Sequence, residues 1–133
     1  MNLSNLGNVE AKEFNFIDEY TNLPTDIFVT VYPMKSKVGK KAENDMRHRI
    51  IELMQDENNI IEVDGKKSLK EDIIKLESMR RVADCVVGWR GIQDDKGKQI
   101  KFSRDECVNQ FLQCEEFVNA VFEFSNNLGN FTA

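Results

Sequence analysis

The chain has 133 residues, of which 41% are hydrophobic and 31% charged, and its formal net charge is −5 at pH 7. That length suits one domain with a modest core, and the acidic balance excludes general affinity for nucleic acid. No apolar run approaches the ~20 residues needed to span a bilayer, and the start "MNLSNLGNVEAKEFNF" lacks the basic and apolar regions of a secretory leader, so a soluble intracellular protein is expected.

Residues 1–25 are polar, asparagine-rich and weakly patterned. Phe14, Phe16, Ile17 and Tyr20 form a small apolar group there, which predicts an N-terminal arm or short helix docked on a body formed by residues 26–133. "DIFVTVYPM", residues 26–34, reads as a strand because it is rich in β-branched and aromatic residues and Pro33 closes it. Its alternation puts Ile27, Val29 and Val31 on one face and Phe28, Thr30 and Tyr32 on the other.

A helix is expected over 38–56, with Ala42, Met46, Ile50, Leu53 and Met54 at helical spacing. Its early part is basic, with Lys35, Lys37, Lys40, Lys41, Arg47 and Arg49. Such a run is either a solvated helix face or a docking surface for an acidic partner. The last third of the chain carries Asp105, Glu106, Glu115, Glu116 and Glu123, so a second copy in a head-to-tail contact is a candidate for that partner. "NNIIEVDGKK" breaks the helix, as a short strand with a turn at Asp64-Gly65.

"SLKE" offers Ser68 as N-cap and Glu71 three residues on, the pattern of a capping box. It predicts a helix over 68–88 with Ile73, Leu76 and Ala83 on one face, ending at Gly88. Trp89 then anchors the core against a turn. In "GIQDDKGKQIKF" the apolar Ile92 and Ile100 flank aspartates and a glycine, which suits a hairpin with Gly97 in the left-handed position. The strand at 27–32 is its candidate partner. "SRDE" repeats the capping pattern with Ser103 and Glu106, opening a helix over 104–113. A last helix is expected over 115–128, with Phe117, Ala120, Val121, Phe124 and Leu128 as its stripe. The fold class predicted is mainly α with a minor β element: a small helical domain carrying an N-terminal strand and a short hairpin. The joint between helix and hairpin is built from Gly88, Trp89, Gly91, Gly97 and Phe102.

Chemistry-bearing constellations are sparse. Cys85, Cys107 and Cys114 sit among apolar neighbours, and an odd number does not make a disulfide framework. The lone His48 has no cysteine beside it. "DDKGK" lacks the ligand spacing of a calcium loop. The adjacent acids Asp94-Asp95 and Glu115-Glu116 suit a turn and a helix first turn. The expectation is a protein that is not an enzyme, with no cofactor and no metal site.

The order "ADCVVGWRGIQDDKGKQIKFSRDECVNQFLQCEEFVNAVFEFSNNLGNF" is more specific. Val86, Val87, Gly88, Trp89, Gly91, Asp94, Gly97, Phe102, Ser103, Phe117 and Phe131 follow one another as in the C-terminal half of tail assembly chaperones of long-tailed bacteriophages, and the chain resembles that family. The resemblance implies a chaperone that binds the long helical tape-measure protein and keeps it soluble in the cytoplasm of the bacterial host, while being absent from the mature virion. It also implies self-association, and a longer frameshifted form that recruits the tail tube protein. Candidate interaction residues on this reading are Lys37, Lys40, Lys41, Arg47, Phe117, Phe124 and Phe131. The alternative is a small acidic phage or bacterial interaction module that binds and inhibits a host protein.

Overall fold

A computed structural model describes residues 9–132. Residues 1–8, part of the expected arm, lie outside the described residues. The elements in chain order are β1 (Lys12–Ile17), β2 (Pro24–Val31), α1 (Lys37–Leu53), β3 (Ile60–Val63), β4 (Lys66–Leu69), α2 (Glu71–Ala83), β5 (Val86–Arg90), α3 (Arg104–Gln113) and α4 (Glu115–Asn126). Short 3-10 turns cover Glu57–Asn59 and Leu128–Asn130.

The expectation of a mainly helical fold is corrected. Among the described residues four helices accompany five strands in two antiparallel sheets, 47% helical and 23% strand, which is a mixed α+β architecture. Three stretches account for the difference. Residues 12–17 form a strand rather than a helix, because Phe14 and Phe16 alternate with polar residues and β2 offers its edge. Residues 86–90 form β5 rather than the end of a helix. Asp84 is the C-cap of α2, and the run "VVGWR" pairs antiparallel with β2. Tertiary pairing there outweighs the helical spacing that continues through Val86 and Val87. "IIEVDGKKSL" is a complete hairpin, β3 on β4, with Asp64 and Gly65 both at positive φ as a tight primed turn requires.

The capping pattern at Ser68 also misleads. Ser68 lies in β4 opposite Ile61, and α2 starts after Lys70 without a side-chain cap. At Ser103 the pattern holds, with Oγ accepting from the Glu106 N–H at 3.0 Å. The sequence around Gly97 makes a tight turn joined by the single bridge Gln93–Gln99, with Ile100 N–H donating to the Ile92 carbonyl at 2.9 Å. It does not pair with β2, whose two neighbours are β1 and β5.

The larger sheet has the order β1-β2-β5 and presents two different faces. Across one row Phe14 lies opposite Val29 and Val29 opposite Trp89; across the other Asn15 lies opposite Phe28 and Phe28 opposite Arg90. The first row meets the helices. Val29 and Val31 are fully buried there with Phe111, Val121, Cys85 and Cys107, each apolar side chain of that size contributing about 1.5–3 kcal/mol over an exposed one. Phe14 stacks on Phe124 at 4.5 Å between centroids, and Phe16 meets Phe117 edge-on at 5.3 Å. The second row faces water, as one face of an antiparallel sheet commonly does. Arg90 covers it, 3.9 Å over the Phe28 ring and 3.1 Å from Glu13. Ser125 ties α4 to the end of β2: its Oγ donates to the Tyr32 carbonyl at 2.6 Å, and its own carbonyl accepts from the Met34 N–H at 2.9 Å.

A candidate docking groove between two helices

Of the five joint residues Trp89 and Phe102 meet, although not at a helix end. Trp89 sits in β5, half-buried, with Nε1 donating to the Ile100 carbonyl at 2.8 Å and its ring edge-on to Phe102 at 5.0 Å. Gly91, at φ +92°, follows the strand. A Cβ there would lie 1.9 Å from the Asp26 carbonyl oxygen, so only glycine permits this approach. Gly97 occupies the left-handed turn position at φ +80°. Gly88 is neither a helix terminator nor a close contact: it pairs with Thr30 inside the sheet, and a Cβ would meet nothing within 4 Å.

The candidate interaction residues separate into two groups. Phe117 and Phe131 are buried at 4% and 6% exposure, and Phe124 is sandwiched between Phe14 and Phe131. The rings of Phe117 and Phe131 are committed to the core, while Phe124, partly buried, also lines the hollow beside β1. The basic residues are exposed, but α1 neutralises part of its own charge. Lys41 pairs with Asp45 at 2.9 Å and Arg47 with Glu43 at 2.7 Å, both one helical turn apart. Lys37 and Lys40 are exposed on the same helix.

Behind α1 lies a charged network with no signature in the sequence. Glu77 of α2 is 2% exposed. It accepts from Arg49 Nε at 2.6 Å and from Arg80 Nη1 at 2.8 Å, locking α2 to α1. Spacing of three residues links Glu77 to Arg80 in the sequence, but the Arg49 partner is set by tertiary packing alone.

The surface most suited to holding a partner is the groove between α2 and α4. Lys75, Ser78, Met79 and Val82 line one wall, and Glu115, Val118, Asn119 and Phe122 the other. Each wall is a set of residues at i, i+3, i+4 and i+7, so two helical stripes face one another across a hollow of about 200 Å³. Phe122 is 40% exposed and Ile74, on α2, 46%. Lys75 and Glu115 give the lining one charge of each sign. Sequence reasoning missed Phe122 because it lies off the Phe117–Val121–Phe124 stripe. The available signal was that α4 has more apolar residues than one buried face requires.

The thiols are not chemically primed. Burial pushes Cys85 up to about 11 and Cys107 up to about 12, and it raises half-buried Cys114 as well. Among the described residues no three His, Cys, Asp or Glu side chains cluster as a metal site, and no helix is long and apolar enough to cross a membrane.

Comparison with known proteins gives one match. The family model described as YdaY prophage protein matches residues 35–133, from the start of α1 through the last turn. No curated protein and no solved structure matches the chain.

Proposed function

This chain belongs to the YdaY prophage protein family, a phage-derived family, and from that premise we propose that it is a non-enzymatic tail assembly chaperone that holds a tape-measure protein during virion assembly. The observation that carries the reading is the α2–α4 groove, with its paired helical stripes and the exposed Phe122. A tape-measure protein is a long helix with apolar stripes, and helix-in-groove docking covers such a stripe through anchors at the same spacing. Met79 in the floor adapts to different anchor side chains. The resemblance around Gly88–Trp89 and the Asp94–Gly97 turn supports the same reading.

Copies of the chain associate on this reading through exposed Lys35 and Lys40 near the start of α1 and the acidic residues of α3 and α4. Apolar burial supplies most of the client affinity, while charge mainly orients copies and speeds encounter. The chaperone acts in the host cytoplasm and leaves before the virion is complete.

The test is co-expression with a long helical tape-measure protein. That protein is expected to be soluble with the native chain and to precipitate with Phe122→Glu, which places a charge in the groove while leaving the core residues in place. Equal solubility with and without the native chain would reject the chaperone reading, and inhibition of a host protein would then become the leading account.

A further inference from the structure

We propose that the open edge of β1, together with α4, is a second docking site, which accepts an extended, lysine- or arginine-bearing segment of a partner protein as a fourth strand of the larger sheet. The site uses a different stripe of α4 from the α2–α4 groove, with Asn119 lining both, and does not rest on the chaperone reading.

β1 is the outermost strand of the order β1-β2-β5. Beside it runs a hollow of about 520 Å³. Its lining reveals how it is built. Residues 14–17 all contribute, four in succession, so the strand turns its backbone edge to the hollow rather than one face. The opposite wall is a single helical stripe of α4: Glu116, Asn119, Ala120, Glu123 and Phe124. Small Ala120 at its centre leaves room between strand and helix. An edge of unpaired N–H and C=O groups is a ready template for another strand. A strand edge flanked by a helix is the geometry in which peptides are captured by strand addition, with main-chain bonds giving affinity and side-chain pockets giving selectivity.

Charge selects the occupant. Glu19, Glu116 and Glu123 line the hollow, and no lysine or arginine does so among the described residues. The floor is aromatic, from Phe14, Phe16 and Phe124. An added strand would point alternate side chains toward that floor and toward α4. The matching segment therefore alternates apolar residues with basic ones, the basic ends reaching the carboxylates at the rim. Phosphate-bearing ligands are repelled by the same carboxylates. The chain's own first eight residues, "MNLSNLGN", carry no lysine or arginine and so match the rim poorly.

The experiment titrates the full chain with a short fluorescent peptide of alternating lysine and valine, followed by amide NMR. Saturable binding is expected, with shifts concentrated in residues 12–17 and at Glu116, Ala120 and Glu123 of α4, none in α2, and slowed exchange of β1 edge amides. The double variant Glu19→Lys/Glu123→Lys, at two fully solvent-facing positions, is expected to keep its melting temperature and weaken binding by about tenfold. A glutamate–valine peptide is expected not to bind. The proposal is overturned if the lysine peptide does not bind, if the glutamate peptide binds equally well, if the double variant binds as the parent does, or if the shifts map to the α2–α4 groove instead.

Discussion

The indole N–H of Trp89 reaches across to the carbonyl of Ile100 at 2.8 Å, fastening the last strand of the sheet to the segment that leads into α3. That bond joins two parts of the chain separated by a polar turn, and it keeps a half-buried aromatic in one orientation against Phe102. Trp89→Phe preserves most of the ring contact but removes the donor, and it is expected to cost about 1 kcal/mol. Trp89→Ala is expected to cost about 3 kcal/mol, the lower end for loss of a large aromatic because the ring is only partly buried. Urea unfolding of the two variants checks the ordering, and a Trp89→Phe protein as stable as the parent would show that the hydrogen bond contributes nothing.

Gly91 and Gly88 make a matched pair. Alanine at Gly91 must hold φ +92° and push a methyl into the Asp26 carbonyl, which is expected to cost at least about 3 kcal/mol. Alanine at Gly88 meets no neighbour and is expected to change stability by less than about 1 kcal/mol. Thermal melts of the two single variants suffice, and similar melting temperatures would contradict the close approach at Gly91.

Glu77 is the most deeply buried charge among the described residues. Removing its charge alone, as Glu77→Gln, leaves Arg49 and Arg80 facing each other without a counterion and is expected to cost about 3 kcal/mol. Replacing the network by apolar residues of similar volume, Glu77→Leu with Arg49→Met and Arg80→Met, is expected to recover most of that loss. Denaturation of the single and triple variants gives the comparison. A triple variant less stable than Glu77→Gln would mean that the network contributes net stability.

The buried thiols predict an alkaline limit. The unfolded chain loses thiol protons near the ordinary value of 9, whereas Cys85 holds its proton to about 11 and Cys107 to about 12. Folding therefore favours the protonated form. The resulting stability is complete below pH 9 and is lost as pH rises through about 11 to 12. A Cys85→Ala/Cys107→Ala variant is expected to be less stable near neutrality and to lose less stability over that alkaline range. At pH 8 a thiol reagent is expected to modify Cys114 in the native protein and the other two cysteines only after unfolding. Rapid native modification of Cys85 would place it outside the core.

Local signals proved reliable where one segment decides its own structure. Ser103 caps α3 as its spacing indicates, both terminal helices begin where expected, and the face of β2 bearing Val29 and Val31 is the buried one. The errors fall where a distant segment decides. "VVGWR" has helical spacing on its N-terminal side, and only the presence of β2 makes it a strand. Phe14 and Phe16 looked like a docked cluster, but their alternation fitted the edge of β2. The functional surfaces were the least legible. Phenylalanines at helical spacing marked the core, where Phe117 and Phe131 are buried, while Phe124 reaches both the core and the hollow beside β1. The groove depends on how α2 and α4 sit side by side, and no periodicity within either helix reports that.

The Ser125 tether carries a consequence for the order in which the chain matures during synthesis. β2 is made early, yet its inner partner β5 emerges only after α1 and α2, and the Tyr32 carbonyl finds its donor only when α4 has left the ribosome. Pairings so distant in sequence slow folding, because the intervening chain must be closed before they form. Until then the nascent strand keeps a bare edge and an apolar face open to neighbouring chains on the same message. Translation speed through the final helix thus sets how long each new molecule remains vulnerable, and a pause there would lower the yield of folded protein without altering a single residue.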